Sequence, residues 1–147
     1  MSDHPFFCEL LSVNVCSFFF TFIVCLPIVL FCKKNIEKMK KNLADIPSIE
    51  MFEGYVGKMI HTEKMSVLFW EIKAHSALPA HAHHNEQITI MQKGEMELTV
   101  DGVVHHLKAG DIVVIPPNVV HSAMPITDCT VLDLFCPVRE DYRQRSV

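Results

Sequence analysis

After the Ile46-Pro47-Ser48 junction the chain never sustains a 3.6-residue apolar period. It runs instead in short stretches of β-branched and aromatic residues broken by Gly, Pro, Asn and Asp. That pattern offers no long helix and confines this part of the chain to an all-β fold. Val67 to Ala74 alternates Leu68, Trp70 and Ile72 with Glu71 and Lys73, and Glu95 to Asp101 alternates Met96, Leu98 and Val100 with Glu95, Glu97 and Thr99. A period of two gives each strand one wet and one dry face. Asp101-Gly102, between Thr99-Val100 and Val103-Val104, reads as a two-residue hairpin turn, because type I′ geometry needs positive φ at both central positions. Val113 to Ile115 reads as a fully buried strand stopped by Pro116-Pro117. Val131 to Phe135 supplies a last strand from which Asp133 and Phe135 point the same way. Short antiparallel strands at this spacing make a sandwich, a barrel or a jelly roll, and periodicity does not choose among them.

The run His81-Ala-His-His-Asn-Glu-Gln87 carries the most chemistry. His81, His83 and Gln87 differ by even steps and would share one face of a β-strand. His121 follows a turn-rich approach of Gly110, Pro116, Pro117 and Asn118, which could bring a fourth donor beside them from a neighbouring strand. Imidazole nitrogens with open positions suit a divalent transition ion that still binds water or substrate. The expected metal ligands are therefore His81, His83, Gln87 and His121, and the donor set does not separate Ni, Fe, Mn, Zn and Co. Gln87 would give a weaker amide oxygen, or else orient a ligand by a hydrogen bond. Glu86 is one residue out of phase and should face away. Three imidazoles and one amide are neutral, so the ion would keep its full charge and favour an anionic substrate.

The remaining composition narrows the partners. The formal charge is −4, and from Met39 to Val147 there are 10 basic against 14 acidic residues, so a nucleic-acid surface is not expected. Four of the six cysteines, Cys8, Cys16, Cys25 and Cys32, lie in or beside an apolar N-terminal segment, and no Cys-x-x-Cys pair exists, which suits reduced thiols in a cytosolic setting. From Leu10 to Cys32 there is no charged residue. Residues 1–38 thus form an apolar segment with a basic flank, and residues 13–32 are a candidate transmembrane helix. Lys33, Lys34, Lys38, Lys40 and Lys41 would place the following domain in the cytoplasm, on a single-pass membrane protein. The competing account is a misplaced start, with translation beginning at Met39 and no anchor. Residues 39–52 read as a linker, 53–143 as the β domain and 144–147 as a tail. A symmetric homodimer is expected for so small a domain.

The series His81-x-His83-x3-Gln87-x6-Gly94, followed by Gly110-x5-Pro116-x-Asn118-x2-His121, resembles the two sequence motifs of the cupin superfamily. The resemblance covers about Glu53 to Arg143 and implies a double-stranded β-helix, the cupin jelly roll, with a metal in its mouth. Gln87 stands where the first motif usually has Glu, and Asn118 where the second usually has Gly. Asn tolerates a left-handed backbone, so the second departure is mild; the first alters the charge of the site.

A second constellation, Asp133-x-Phe135-x-Pro137-x-Arg139-Glu140-Asp141, places a carboxylate, an aromatic ring and a guanidinium within seven residues. Arg can clamp a carboxylate, Asp can exchange a proton, and Phe can wall a sugar ring. The plainer reading is an Asp133–Arg139 ion pair with Phe135 in the core. With the Ile115-to-His121 run, this segment resembles the single-domain cupins of pectin degradation, which linearise 4,5-unsaturated galacturonate. The resemblance implies that Asp133, Phe135 and Arg139 are catalytic and that the substrate is a small anionic sugar. A different metal-dependent cupin, such as a dioxygenase or isomerase, and a non-catalytic sugar-acid binding module stand as alternatives, since a fold does not fix a reaction.

Overall fold

A computed structural model describes residues 40–145 of the chain. A single 3-10 turn at Leu43–Asp45, capped by the Asn42 side chain, leads into ten strands. These are β1 (Ile49–Phe52), β2 (Tyr55–His61), β3 (Ser66–Ile72), β4 (Leu78–His81), β5 (Glu86–Lys93), β6 (Glu95–Val100), β7 (Val103–Lys108), β8 (Ile112–Ile115), β9 (His121–Pro125) and β10 (Cys129–Cys136). One short helix, α1 (Glu140–Arg143), follows.

Every strand pair is antiparallel, in a six-stranded sheet of order β1-β2-β3-β10-β5-β8 and a four-stranded sheet of order β4-β9-β6-β7. The dry faces read from the sequence meet in one core. Leu68, Trp70 and Ile72 of β3, Met96 and Leu98 of β6, and Val131 and Phe135 of β10 are all buried in it. Asp101 and Gly102 have φ of 49° and 77°, as the hairpin turn between β6 and β7 requires. Gly57 makes room for the core's one tryptophan: a Cβ there would lie 2.6 Å from the Trp70 ring.

Two expectations need correction. The fold was expected to carry an apolar helix ahead of the β domain, yet the helical pieces at Leu43–Asp45 and Glu140–Arg143 are one turn each, and no helix among the described residues is long and apolar enough to cross a membrane. The segment on which that expectation rested, residues 1–38 with the run at 13–32, lies outside the described residues. Among the described residues the architecture is thus an all-β jelly roll with no long apolar helix, and membrane anchoring finds no support there. The second correction concerns Val113 to Ile115. The strand, β8, is an edge strand, with Ile112 at 61% and Val114 at 56% exposure, because only its inward side, ending at Ile115, has a neighbour to pack against.

Candidate metal centre

His81 closes β4 and His121 opens β9, and the two are paired residues of the antiparallel ladder. His83 and Gln87 reach the same point differently from the single strand face expected. Strand geometry stops after His81, residues 82–85 form a loop, and Gln87 is the second residue of β5. Asn85, 1% exposed, holds this loop: its Nδ2 donates to the Pro137 carbonyl at 2.6 Å. Asn118, with φ of 65°, donates its backbone N–H to the His83 carbonyl at 2.8 Å, so the turn before β9 braces the loop from the other side. Glu86 is exposed, as its phase requires.

His81, His83 and His121 each offer a ring nitrogen, and these atoms lie within 4.8 Å of one another. The Nδ1 of His81 meets the Pro79 carbonyl at 2.9 Å, that of His83 the Asn85 carbonyl at 3.1 Å, and that of His121 the Val119 carbonyl at 2.9 Å. A carbonyl only accepts, so each Nδ1 carries the proton and each Nε2 of a neutral ring presents a lone pair. Burial, reinforced by the Arg139 charge, pushes His83 down to about 4, and burial lowers His121 as well. Both rings are therefore neutral at neutral pH.

Gln87 completes the arrangement. Its Nε2 donates to Thr89 Oγ1 at 2.9 Å and to Asp133 Oδ1 at 3.2 Å, which turns Oε1 toward His83 Nε2 at 3.1 Å. Two acceptors then face each other at hydrogen-bonding distance with no proton to share. A cation between them removes the conflict, and a set of three imidazoles and one amide oxygen is chemically suited to a divalent transition ion. The residues present fit the metal that the sequence motif implies.

The second constellation lies against this centre. Phe135, 3% exposed, stands 5.5 Å from His83 between ring centroids. Asp133 accepts from Thr89 Oγ1 at 2.7 Å and Gln87 Nε2 on Oδ1, and from Trp70 Nε1 at 2.9 Å on Oδ2. A carboxylate has about four acceptor positions, so three donors leave one open. Burial drives the Asp133 carboxyl above its ordinary range, opposed by the Thr89, Gln87 and Trp70 bonds. The simple Asp133–Arg139 ion pair does not form. Arg139 binds Asp141 instead, through Nε at 2.9 Å and Nη2 at 2.7 Å. Burial opposes the guanidinium's charge, but this bidentate pair raises its pKa and lowers that of Asp141. Its Cζ sits 4.0 Å from the Tyr142 ring centroid and 5.1 Å from that of Phe135. The Asp141 pair does not use Nη1. One cavity is lined by His81, Gln87, His121, Asp133, Phe135 and Arg139 together.

Sequence reasoning gives no site role to Thr89, Trp70, Asn85 or Asp141. Thr89 lies two residues from Gln87 on the same strand face, a period-two signal that was available. Trp70 was read as core, and its indole N–H bond to a residue 63 positions away has no local signature.

Comparison with known proteins agrees with this fold. Residues 68–135 match the family model described as a cupin domain. An RmlC-like cupin from Shewanella frigidimarina NCIMB 400 superposes with a TM-score of 0.67 at 27% identity, covering 69% of this chain and 93% of that one. KdgF from Halomonas sp. superposes with a TM-score of 0.64 at 25% identity, covering 67% of this chain and 93% of that one. Bacillus subtilis oxalate decarboxylase, with Mn(II) centres, shares only the fold, at 16% identity and a TM-score of 0.59 over 66% of this chain and 29% of its own. No curated protein matches the chain. The β domain belongs to the cupin superfamily. Within that class the β domain is similar to KdgF, and its three-histidine group could hold a metal ion.

Proposed function

We propose that the protein is a metal-dependent enzyme that linearises 4,5-unsaturated uronates, with His81, His83, Gln87 and His121 as the ligands of a divalent ion. The observation that carries this reading is the meeting, in one cavity, of His81, Gln87 and His121 with Asp133, Phe135 and Arg139, with His83 beside the other two imidazoles. The likeness to KdgF and the motif resemblance to the cupins of pectin degradation favour the same substrate class.

The reaction is an isomerisation and needs no co-reactant. The ring C1–O bond breaks, the anomeric hydroxyl loses its proton as the aldehyde forms, and C4 gains a proton as the enol becomes a ketone. A bound divalent ion supplies Lewis-acid polarisation of a coordinated oxygen and attraction for an acid. The chain's own groups divide the rest. Arg139 lies over the Tyr142 and Phe135 rings and is anchored by Asp141, so its guanidinium is held in place for a substrate carboxylate. Asp133, with one acceptor position open and its carboxyl raised by burial, takes and returns the proton. Phe135 walls the ring side and excludes water beside His83.

The test follows the ultraviolet absorbance of the conjugated uronate. Metal-supplied wild-type protein removes it, whereas Asp133→Asn and His83→Ala do not. Equal loss with wild type and both variants contradicts the assignment, and oxygen consumption by the wild type would point to a different metal-dependent cupin.

A further inference from the structure

Three buried side-chain polar atoms among the described residues have no hydrogen-bond partner: the Tyr55 hydroxyl, His61 Nε2 and Asn85 Oδ1. Of these residues, Tyr55 is the one that lines the cavity shared by His81, His121, Asp133 and Arg139. Tyr55 is 4% exposed, on β2 opposite Ile72. Its ring is fixed edge-on by Trp70, at 6.1 Å and 80°, and by Phe52, at 6.2 Å and 85°. All of that packing would be met equally by phenylalanine. The hydroxyl adds nothing to it, and an unmade buried hydrogen bond costs stability. A polar group kept at such a cost on a residue that lines a binding cavity is explained by a ligand atom that completes it.

We propose that the Tyr55 hydroxyl is a specificity-determining donor that hydrogen-bonds an oxygen of the bound sugar acid, so that the cavity distinguishes hydroxylated ring acids from plain carboxylates. This rests on the sugar-acid reading above. Arg139 and the neutral donor cluster attract any small acid by charge; Tyr55 adds a demand for an oxygen elsewhere on the ligand. Burial raises the phenol's pKa, so the group stays a donor through the physiological range. Leaving a site's buried donor unmatched is an effective way to reject a ligand that lacks its acceptor.

The experiment is calorimetry on the full chain in the presence of Ni²⁺, comparing wild type with Tyr55→Phe, with D-galacturonate and cyclohexanecarboxylate as probes. The expected result is that Tyr55→Phe binds galacturonate about tenfold more weakly, with cyclohexanecarboxylate little changed. Bound nickel per chain stays the same, and Tm is equal or higher. An unchanged galacturonate affinity overturns the assignment while leaving the sugar-acid reading intact, as does an equal weakening for both acids, which would mark a packing defect. Failure of wild-type protein to bind either acid defeats the sugar-acid reading and this inference with it.

Discussion

Replacing Gln87 by Glu tests the charge logic of the site with almost no change of shape. In the wild type the amide does two things at once: Oε1 faces His83, and Nε2 donates to Asp133 Oδ1 at 3.2 Å. A carboxylate in its place would turn the donor into an acceptor. At the observed 3.2 Å, two ionised carboxylates repel by about 5 kcal/mol at an effective dielectric of about 20. The pair therefore holds one proton between them. With a metal bound, the Glu oxygen beside the cation stays ionised and Asp133 takes the proton. Two losses follow: the centre's positive charge is partly cancelled, and Asp133 no longer accepts a proton from substrate. The expected outcome for Gln87→Glu is metal content equal to wild type, galacturonate affinity at least about tenfold weaker by calorimetry, and turnover of the unsaturated uronate abolished. Unchanged affinity with the metal retained would refute the reasoning.

Further substitutions probe the supports. Gly57→Ala forces the Trp70 ring to move from a Cβ 2.6 Å away, and the strain should cost about 1–3 kcal/mol in urea unfolding. Because Trp70 bonds Asp133, turnover should fall as well; wild-type stability would contradict the contact. The Arg139 bonds lower the Asp141 pKa below its ordinary 3.8. Their stabilisation is thus complete above 3.8 and is lost as pH falls through the lower folded value. Asp141→Asn should flatten the loss of Tm as pH falls below about 4, and an acid limb as steep as wild type would contradict the pair's role. The homodimer expected from size alone would be covered most economically at the β8 edge, where Ile112 is 61% exposed. Light scattering should report a dimer that Ile112→Lys converts to a monomer, and a monomeric wild type would remove that expectation.

Much of the fold was legible because its signals are local. Alternation in β3 and β6 and the Asp101-Gly102 turn need only neighbouring residues, and Asn118 takes the left-handed backbone that its substitution for Gly demanded. The apolar run of β8 does not say whether the strand is covered on one face or on both; Ile112 and Val114 lie on its open face. At the centre, His81, His83 and Gln87 do come together, but not along the single strand face that their even spacing suggests. A loop pinned by Asn85 and Asn118 makes them converge, and both pins bond to residues far along the chain or across a turn. The Thr89–Gln87–Asp133–Trp70 network unites three strands, and no window of sequence contains it. Likewise, Arg139 could be seen as a cation near Asp133, but its choice of Asp141 depends on the turn into α1.

The central claim is that three imidazole lone pairs and the Gln87 oxygen are gathered to hold one divalent ion. Titration of metal-free protein with Ni²⁺ or Mn²⁺, followed by calorimetry and by the rise in Tm that binding to the folded state produces, addresses it directly. The account predicts one ion per chain in the wild type and a loss of both signals in His83→Ala and His121→Ala. Absence of binding by the wild type, or undiminished binding by those variants, would contradict it.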